Sequence, residues 1–320
     1  MKSKIFRVGG FLAIVVLGMF IFRFLTFSTD VETENDHYKR YVNQHYKVFA
    51  IDLPDSLTFA GEKVELEMDD IKERLDREML VNAYWQSQTL LFIKRANKFF
   101  PVIEPILKEN GVPDDFKYLA LTESGLMNVV SPAGATGYWQ ILKTTGKELG
   151  LEINSEVDER YHLEKSTEAF CKYMNQAKNK FGNWTLAAAS YNMGMAGLNR
   201  QITKQKVNNY YDLLLNEETG RYVFRILAVK EIMNSPTNYG FYFRPQDLYK
   251  EEKIRTIEVS EPIEDFADFA FENGINYKIL KVFNPWLRQG YLKNVSRKTY
   301  ELRIPVEGYY TASQTDSTLQ

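Results

Sequence analysis

Residues 113–124 read Pro-Asp-Asp-Phe-Lys-Tyr-Leu-Ala-Leu-Thr-Glu-Ser, and one carboxylate among them, Glu123, organises the reading of the whole chain. Gly111 and Pro113 interrupt what precedes, and Asp114 or Asp115 can cap the unpaired amides of a new helix. On that helix Phe116, Leu119 and Ala120 stand seven, four and three residues before Glu123, so all four share one face. An acid set among apolar side chains has its charged form disfavoured, which raises its pKa toward the range useful for proton donation at neutral pH. The same pattern also fits an acid paired with a buried arginine or one turned to water, because many perturbed acids are structural.

The next stretch, Ser131-Pro-Ala-Gly-Ala-Thr-Gly-Tyr-Trp-Gln-Ile141, is rich in glycine and carries two aromatics and an amide. Gly134 and Gly137 permit positive φ and close approach of another chain, as a loop lining a groove requires. Tyr138 and Trp139 offer flat apolar faces on which sugar C–H faces can stack, and Gln140 offers a donor and an acceptor for hydroxyls. Further on, Ala187-Ala-Ala-Ser-Tyr-Asn-Met-Gly194 reads as a helix of small residues that Gly194 terminates. Taken singly, that segment equally fits a tightly packed helix pair.

Together these blocks resemble the lytic transglycosylases of the soluble-transglycosylase (goose-lysozyme-like) family, which cleave bacterial peptidoglycan. Glu123-Ser124 matches the family's Glu-Ser pair, and Gly134-Ala-Thr-Gly-Tyr-Trp-Gln-Ile141 its Gly-Ala-x-Gly-Leu-Met/Trp-Gln block. Ser190-Tyr-Asn-Met-Gly194 is similar to its Ala-Tyr-Asn-x-Gly block, and Glu218-Thr-Gly-Arg-Tyr-Val223 to a segment of its last core helix. Four blocks in family order form a far more specific signal than any one of them. The resemblance covers about Ile71 to Met233. Lys143 stands where the family often has proline, Ser190 replaces alanine, and Tyr138 replaces a smaller aliphatic residue.

The resemblance implies a role for each matching residue. Glu123 would be the single catalytic acid and base, and Tyr222 would hydrogen-bond near it and position it. Ser124 would support the helix locally beside the substrate. Gln140, Tyr191 and Asn192 would hold acetamido groups and hydroxyls around the cleaved bond, with Ser131 and Tyr138 at the groove wall. Glycosidases ordinarily use two carboxylates. One suffices if the C6 hydroxyl of N-acetylmuramic acid attacks its own C1, leaving a 1,6-anhydro end. A hydrolytic muramidase and a non-catalytic peptidoglycan-binding protein are the alternatives. No cofactor and no metal are implied.

Helical patterns follow one another over Asp69 to Tyr84, Ser87 to Asn110, Asp114 to Met127, Thr144 to Leu149, Thr167 to Lys180, Trp184 to Tyr191 and Glu218 to Met233. Asn234-Ser-Pro236 breaks the series. Beyond it, Ile254 to Val259 alternates like a strand, Ile263 to Glu272 and Tyr277 to Phe283 read as short helices, and Thr299 to Ile304 as a second strand. That order resembles a divergent LysM module, a glycan-binding unit. Ser260-Glu-Pro-Ile stands where the module usually has Gly-Asp-Thr, so glycan binding and a docking or spacer role both stay open. The expected fold class is mainly α: a lysozyme-like helical catalytic domain over 67–245 and a small α+β LysM-like module, strand-helix-helix-strand, over 250–308.

A chain of 320 residues with 44% hydrophobic content can bury a substantial core, and a net charge of −2 gives no basic excess for nucleic acid. The one cysteine, Cys171, falls in a helical pattern and reads as a buried small hydrophobe; His37, His45 and His162 lack ligand spacing. At the amino terminus Lys2, Lys4 and Arg7 precede an apolar run from Val8 to Phe27, long enough to span a bilayer with its basic flank inside. Residues 1–29 are thus expected to be an uncleaved inner-membrane anchor, with a cleaved signal segment as the rival. Either way the remainder is placed in the periplasm, against peptidoglycan glycan strands. Residues 30–66 read as a tether that partly packs on the next domain, and 309–320 as a disordered tail.

Overall fold

In the computed structural model, residues 17–19, 21–23, 39–40 and 48–306 are described. The expected anchor at 1–29, apart from its two short helical pieces, and the expected tail at 309–320 lie outside the described residues. Among the described residues no helix is long and apolar enough to cross a membrane. The chain divides into two units, 1–50 and 51–320, and the second carries every element discussed below.

That unit begins with a hairpin, β1 (Thr58–Phe59) and β2 (Glu62–Lys63), turned by Ala60 and Gly61, both at positive φ. The hairpin is part of the core. Phe59 is fully buried, its ring set edge-on to Phe116 at 5.2 Å. The Glu62 carboxylate accepts the backbone N–H groups of Trp184 (2.6 Å) and Thr185 (2.9 Å), so a residue far away in sequence satisfies a helix N-terminus.

Eight helices build the main domain: α1 (Asp69–Tyr84), α2 (Gln86–Glu109), α3 (Lys117–Ser124), α4 (Lys143–Glu148), α5 (Leu163–Phe181), α6 (Trp184–Met193), α7 (Met195–Gln205) and α8 (Glu217–Asn234). Helix α8 buries Tyr222, Val223, Phe224, Ile226, Leu227, Ala228, Val229 and Ile232, which cover most of its circumference and make it the central helix. Residues 187–190 of α6, three alanines and a serine, are fully buried, as close helix contacts require.

The structure corrects two details of the expected helices. The helix expected to run to Met127 stops at Ser124, because Gly125 (φ 62°) and Leu126 (φ 56°) both enter the left-handed region. Neither Asp114 nor Asp115 caps it, for no side-chain cap bond is made there. Asp114 pairs with Lys117, while Asp115 accepts the Ala60 N–H (2.7 Å) and the Lys230 ammonium (2.6 Å), fastening the hairpin to α3 and α8. Helix α7 was not foreseen. Gly194 does end α6, but α7 starts at once beyond it, and the Leu198–Ile202 spacing was its faint signal.

The C-terminal segment folds as strand β3 (Ile254–Val259), helix α9 (Phe266–Glu272), helix α10 (Tyr277–Phe283) and strand β4 (Tyr300–Pro305). The two strands pair antiparallel, with Ile254 opposite Pro305 and Val259 opposite Tyr300. Phe266, Leu280, Trp286, Leu287, Leu302 and Ile304 form its core, and Val157 of the helical domain is buried among them.

Replacing Asp115 with alanine is expected to destabilise the protein by roughly 1–3 kcal/mol, since the Ala60 N–H loses its acceptor and the Lys230 ammonium, still bonded to the Thr58 carbonyl, loses its counter-charge. Asp115→Asn keeps an acceptor for Ala60 and is expected to cost less. Thermal or urea unfolding of the two variants measures the difference.

Candidate active site

Glu123 sits in the last turn of α3, on the face expected. Phe116, Leu119 and Ala120 beside it are fully buried, while the acid keeps a partly exposed edge. The Tyr222 hydroxyl, presented from α8, donates a short hydrogen bond to Glu123 Oε1. Burial pushes the Glu123 pKa up to about 7, against the Tyr222 hydrogen bond and the Arg225 charge, which hold it down, and with a small upward push from Glu218. An acid in this condition exchanges its proton readily near neutral pH.

Tyr191 feels the Glu123 charge, and its phenol is itself held well above its ordinary pKa by burial. Its hydroxyl donates to the Trp139 carbonyl at 2.7 Å, tying α6 to the glycine-rich loop. Asn192 sits between two residues of α8, accepting from the Thr219 hydroxyl (2.7 Å) and donating to Glu218 (3.2 Å). The structure therefore gathers Glu123, Tyr191 and Tyr222, with Asn192 joined to them through Glu218.

The loop itself is held by backbone chemistry. Ser124 is buried, and its hydroxyl donates to the Tyr138 carbonyl at 2.6 Å, with the Ala120 carbonyl at 3.2 Å. Its role is to fasten the loop to α3. Ser131 accepts the Ala135 N–H at 3.1 Å inside a tight turn. Gln140 adopts positive φ, and its side-chain amide donates to the carbonyls of Val129 (3.0 Å) and Gly137 (2.8 Å). These donors stabilise the loop, leaving the amide oxygen as the group on Gln140 with an acceptor's capacity.

Of the two aromatics expected to offer faces to sugar, Trp139 lies in the core and Tyr138 borders a cavity. Trp139 is fully buried, stacked on Phe170 at 3.8 Å, with its indole N–H on Thr167 (2.8 Å). The Tyr138 ring packs against Phe99 at 5.3 Å and lines a cavity of about 290 Å³ shared with Trp286 and Arg303 of the C-terminal segment. The reason is the loop's own geometry. The chain turns tightly here, with Gly137 (φ 83°) and Gln140 (φ 51°) both at positive φ, and the Trp139 ring enters the core while the Tyr138 ring stays half-buried at the cavity.

Sequence reasoning gave no role to Glu218 and Arg225. Both act electrostatically on Glu123 and flank Tyr222 at four and three residues on α8, so one stripe of that helix faces the acid. Behind it Glu78 of α1 is buried against Arg221 (2.7 Å) and Arg77 (2.5 Å), with Arg225 at 3.9 Å. That spacing was visible in the sequence; the convergence with Glu123 was not.

Because the folded protein holds Glu123 protonated longer than the unfolded chain does, the contribution of Glu123 to stability falls as pH rises from 4.5 to about 7 and is constant above. Glu123→Gln removes this penalty. The variant is expected to match the wild type in thermal stability near pH 4 and to exceed it by roughly 2–3 kcal/mol above pH 7. Tyr222→Phe removes a hydrogen bond that favours the carboxylate, so the Glu123 titration is expected to move to higher pH, read by NMR of the labelled carboxyl.

Comparison with known proteins follows the same outline. Residues 100–214 match the transglycosylase SLT domain, and residues 255–308 match the soluble lytic transglycosylase C-terminal LysM-like domain. Two relatives, both named membrane-bound lytic murein transglycosylase D, come from Escherichia coli strains K12 and O6:H1. Each is 28% identical over 239 residues, covering 72% of this chain and 51% of the relative. The chain thus spans about half the length of the curated relatives it matches. A solved inactive mutant of the lytic transglycosylase Slt from Pseudomonas aeruginosa is 20% identical, with a TM-score of 0.34, over 47% of this chain and 26% of that one. The chain therefore carries a transglycosylase SLT domain and, behind it, the C-terminal LysM-like domain of soluble lytic transglycosylases.

Proposed function

We propose that this protein is a peptidoglycan lytic transglycosylase that cleaves the β-1,4 bond between N-acetylmuramic acid and N-acetylglucosamine. The observation that carries the reading is the Glu123–Tyr222 pair: a carboxyl with a pKa of about 7, aimed by a buried phenol, beside a glycine-rich loop. In the protonated form Glu123 gives its proton to the glycosidic oxygen. As the carboxylate it then takes the proton of the muramic C6 hydroxyl as that oxygen attacks C1, and a 1,6-anhydro end forms. An internal nucleophile needs no second carboxylate, because its effective concentration is already high. Tyr222 stabilises the carboxylate between the two transfers. Asn192 and the Gln140 oxygen are the polar groups offered to the sugar, and Tyr191 holds the loop that borders it.

A second reading draws on one observation. Glu218 is an exposed carboxylate that acts on Glu123, and such a group could activate water, as the partner acid of a hydrolytic muramidase does. Asp114 and Asp115 are engaged with lysines and do not compete for that role. The family domain and the names of the relatives support an envelope enzyme acting on glycan strands. On the reading of residues 1–29 as an anchor, it works in the periplasm, tethered to the inner membrane.

Mass spectrometry of muropeptides released from purified sacculi separates the readings. The expected products are lighter by one water than hydrolysis products, and Glu123→Gln is expected to lower their release by about 100-fold or more. Hydrated reducing ends, lost in Glu218→Gln, would establish the hydrolase instead. Retention on sacculi without any release would leave a binding protein.

A further inference from the structure

The segment between α4 and α5 is gripped from two sides. On one side it belongs to the C-terminal segment's core. Val157 pairs with Leu287 in a β-bridge and is buried with it. The Asp158 N–H donates to the Trp286 carbonyl at 2.9 Å, and the Arg288 N–H donates to the Glu156 carbonyl at 2.7 Å. The Arg288 guanidinium lies over the Tyr161 ring at 3.9 Å. Exchanged backbone hydrogen bonds and a shared hydrophobic core are the features of a fixed interface; a glycan-binding arm on a free linker would have neither.

On the other side the same segment holds the glycine-rich loop through Arg160. Its guanidinium is fork-bonded to Asp158 (2.7 and 3.0 Å), with both side chains about nine-tenths buried. The remaining donor reaches the carbonyls of Gly134 (3.1 Å) and Ile141 (3.2 Å), the two ends of the loop. The loop also lies against the Arg160 backbone, for a Cβ at Gly137 would fall 2.0 Å from the Arg160 carbonyl oxygen. From the loop the chain of contacts continues through the Tyr138 carbonyl to Ser124, next to Glu123.

We propose that the C-terminal LysM-like domain is a fixed buttress of the active-site loop, and that Arg160 is the positioning residue through which it sets the surroundings of Glu123. The proposal rests on Glu123 being the catalytic acid. Its consequence is that contacts made on the far side of the C-terminal domain influence the rate of bond cleavage. Two variants of the full chain test it. Arg160→Lys keeps the charge but loses the fork that joins Asp158 to two carbonyls. Arg288→Glu alters an exposed side chain at the junction and removes its cation from the Tyr161 ring.

Both variants are expected to speed amide hydrogen exchange across residues 134–141 while leaving α5 and α8 protected. On murein, kcat is expected to fall about 10-fold or more with KM within about twofold. The alkaline limb of the pH–rate profile is expected to move to lower pH as water reaches Glu123, with Tyr191, Tyr222, Arg225 and Glu218 unchanged around it. Retention on sacculi is expected to stay at the wild-type level. Unchanged loop exchange in both variants would overturn the proposal. So would loss of sacculus retention in Arg288→Glu with kcat and exchange unaltered, which would make the domain a glycan-holding arm. The exchange measurement needs no turnover, so an inactive wild type would refute the proposed function while leaving the buttress to be judged separately.

Discussion

The Tyr222 hydroxyl on the Glu123 carboxylate joins two opposed demands, and the helical domain is arranged around the conflict. Apolar neighbours on α3 make ionisation costly, while one phenol and one arginine on α8 make it tolerable. The balance leaves the acid near neutrality. A more exposed glutamate would be ionised at neutral pH; one without Tyr222 would keep its proton to higher pH. Helix α8 can present that phenol because nearly its whole circumference is packed, which leaves the residue little freedom to move.

Acids elsewhere in the domain hold distant parts of the chain together. Glu62 satisfies the start of α6, and Asp115 joins the first hairpin to α3 and α8. Asp158 orients Arg160 toward the loop. Each is a carboxylate with at least two donors, so its charge is compensated where it is buried. With a single cysteine and no disulfide available, these polar clasps add specificity to a packed apolar core.

Much of the fold was legible in the residues. Helix α1 and strand β3 lie where periodicity places them, and α10 likewise, because apolar spacing reports directly on which face meets the core. The hairpin at 58–63 and helix α7 were not legible: one is two residues per strand, and the other begins at the glycine that ends its predecessor. For the site, Glu123 and Tyr222 meet as the resemblance implied. Trp139 was misread because an aromatic in a glycine-rich loop looks the same whether its ring faces a groove or the core.

What the sequence by itself determined is the phase of Glu123: helical spacing puts it on the same face as Phe116, Leu119 and Ala120. It also determined the order of helices and strands, since each follows from local periodicity. What only the tertiary structure decided is how far the acid's pKa moves and what surrounds it. Tyr222 lies 99 residues away, and the Arg160 clasp joins segments 19 and 26 residues apart. Local pattern carries the face a residue occupies. The partner across that face depends on how helices pack, and no stretch of the chain contains that information alone.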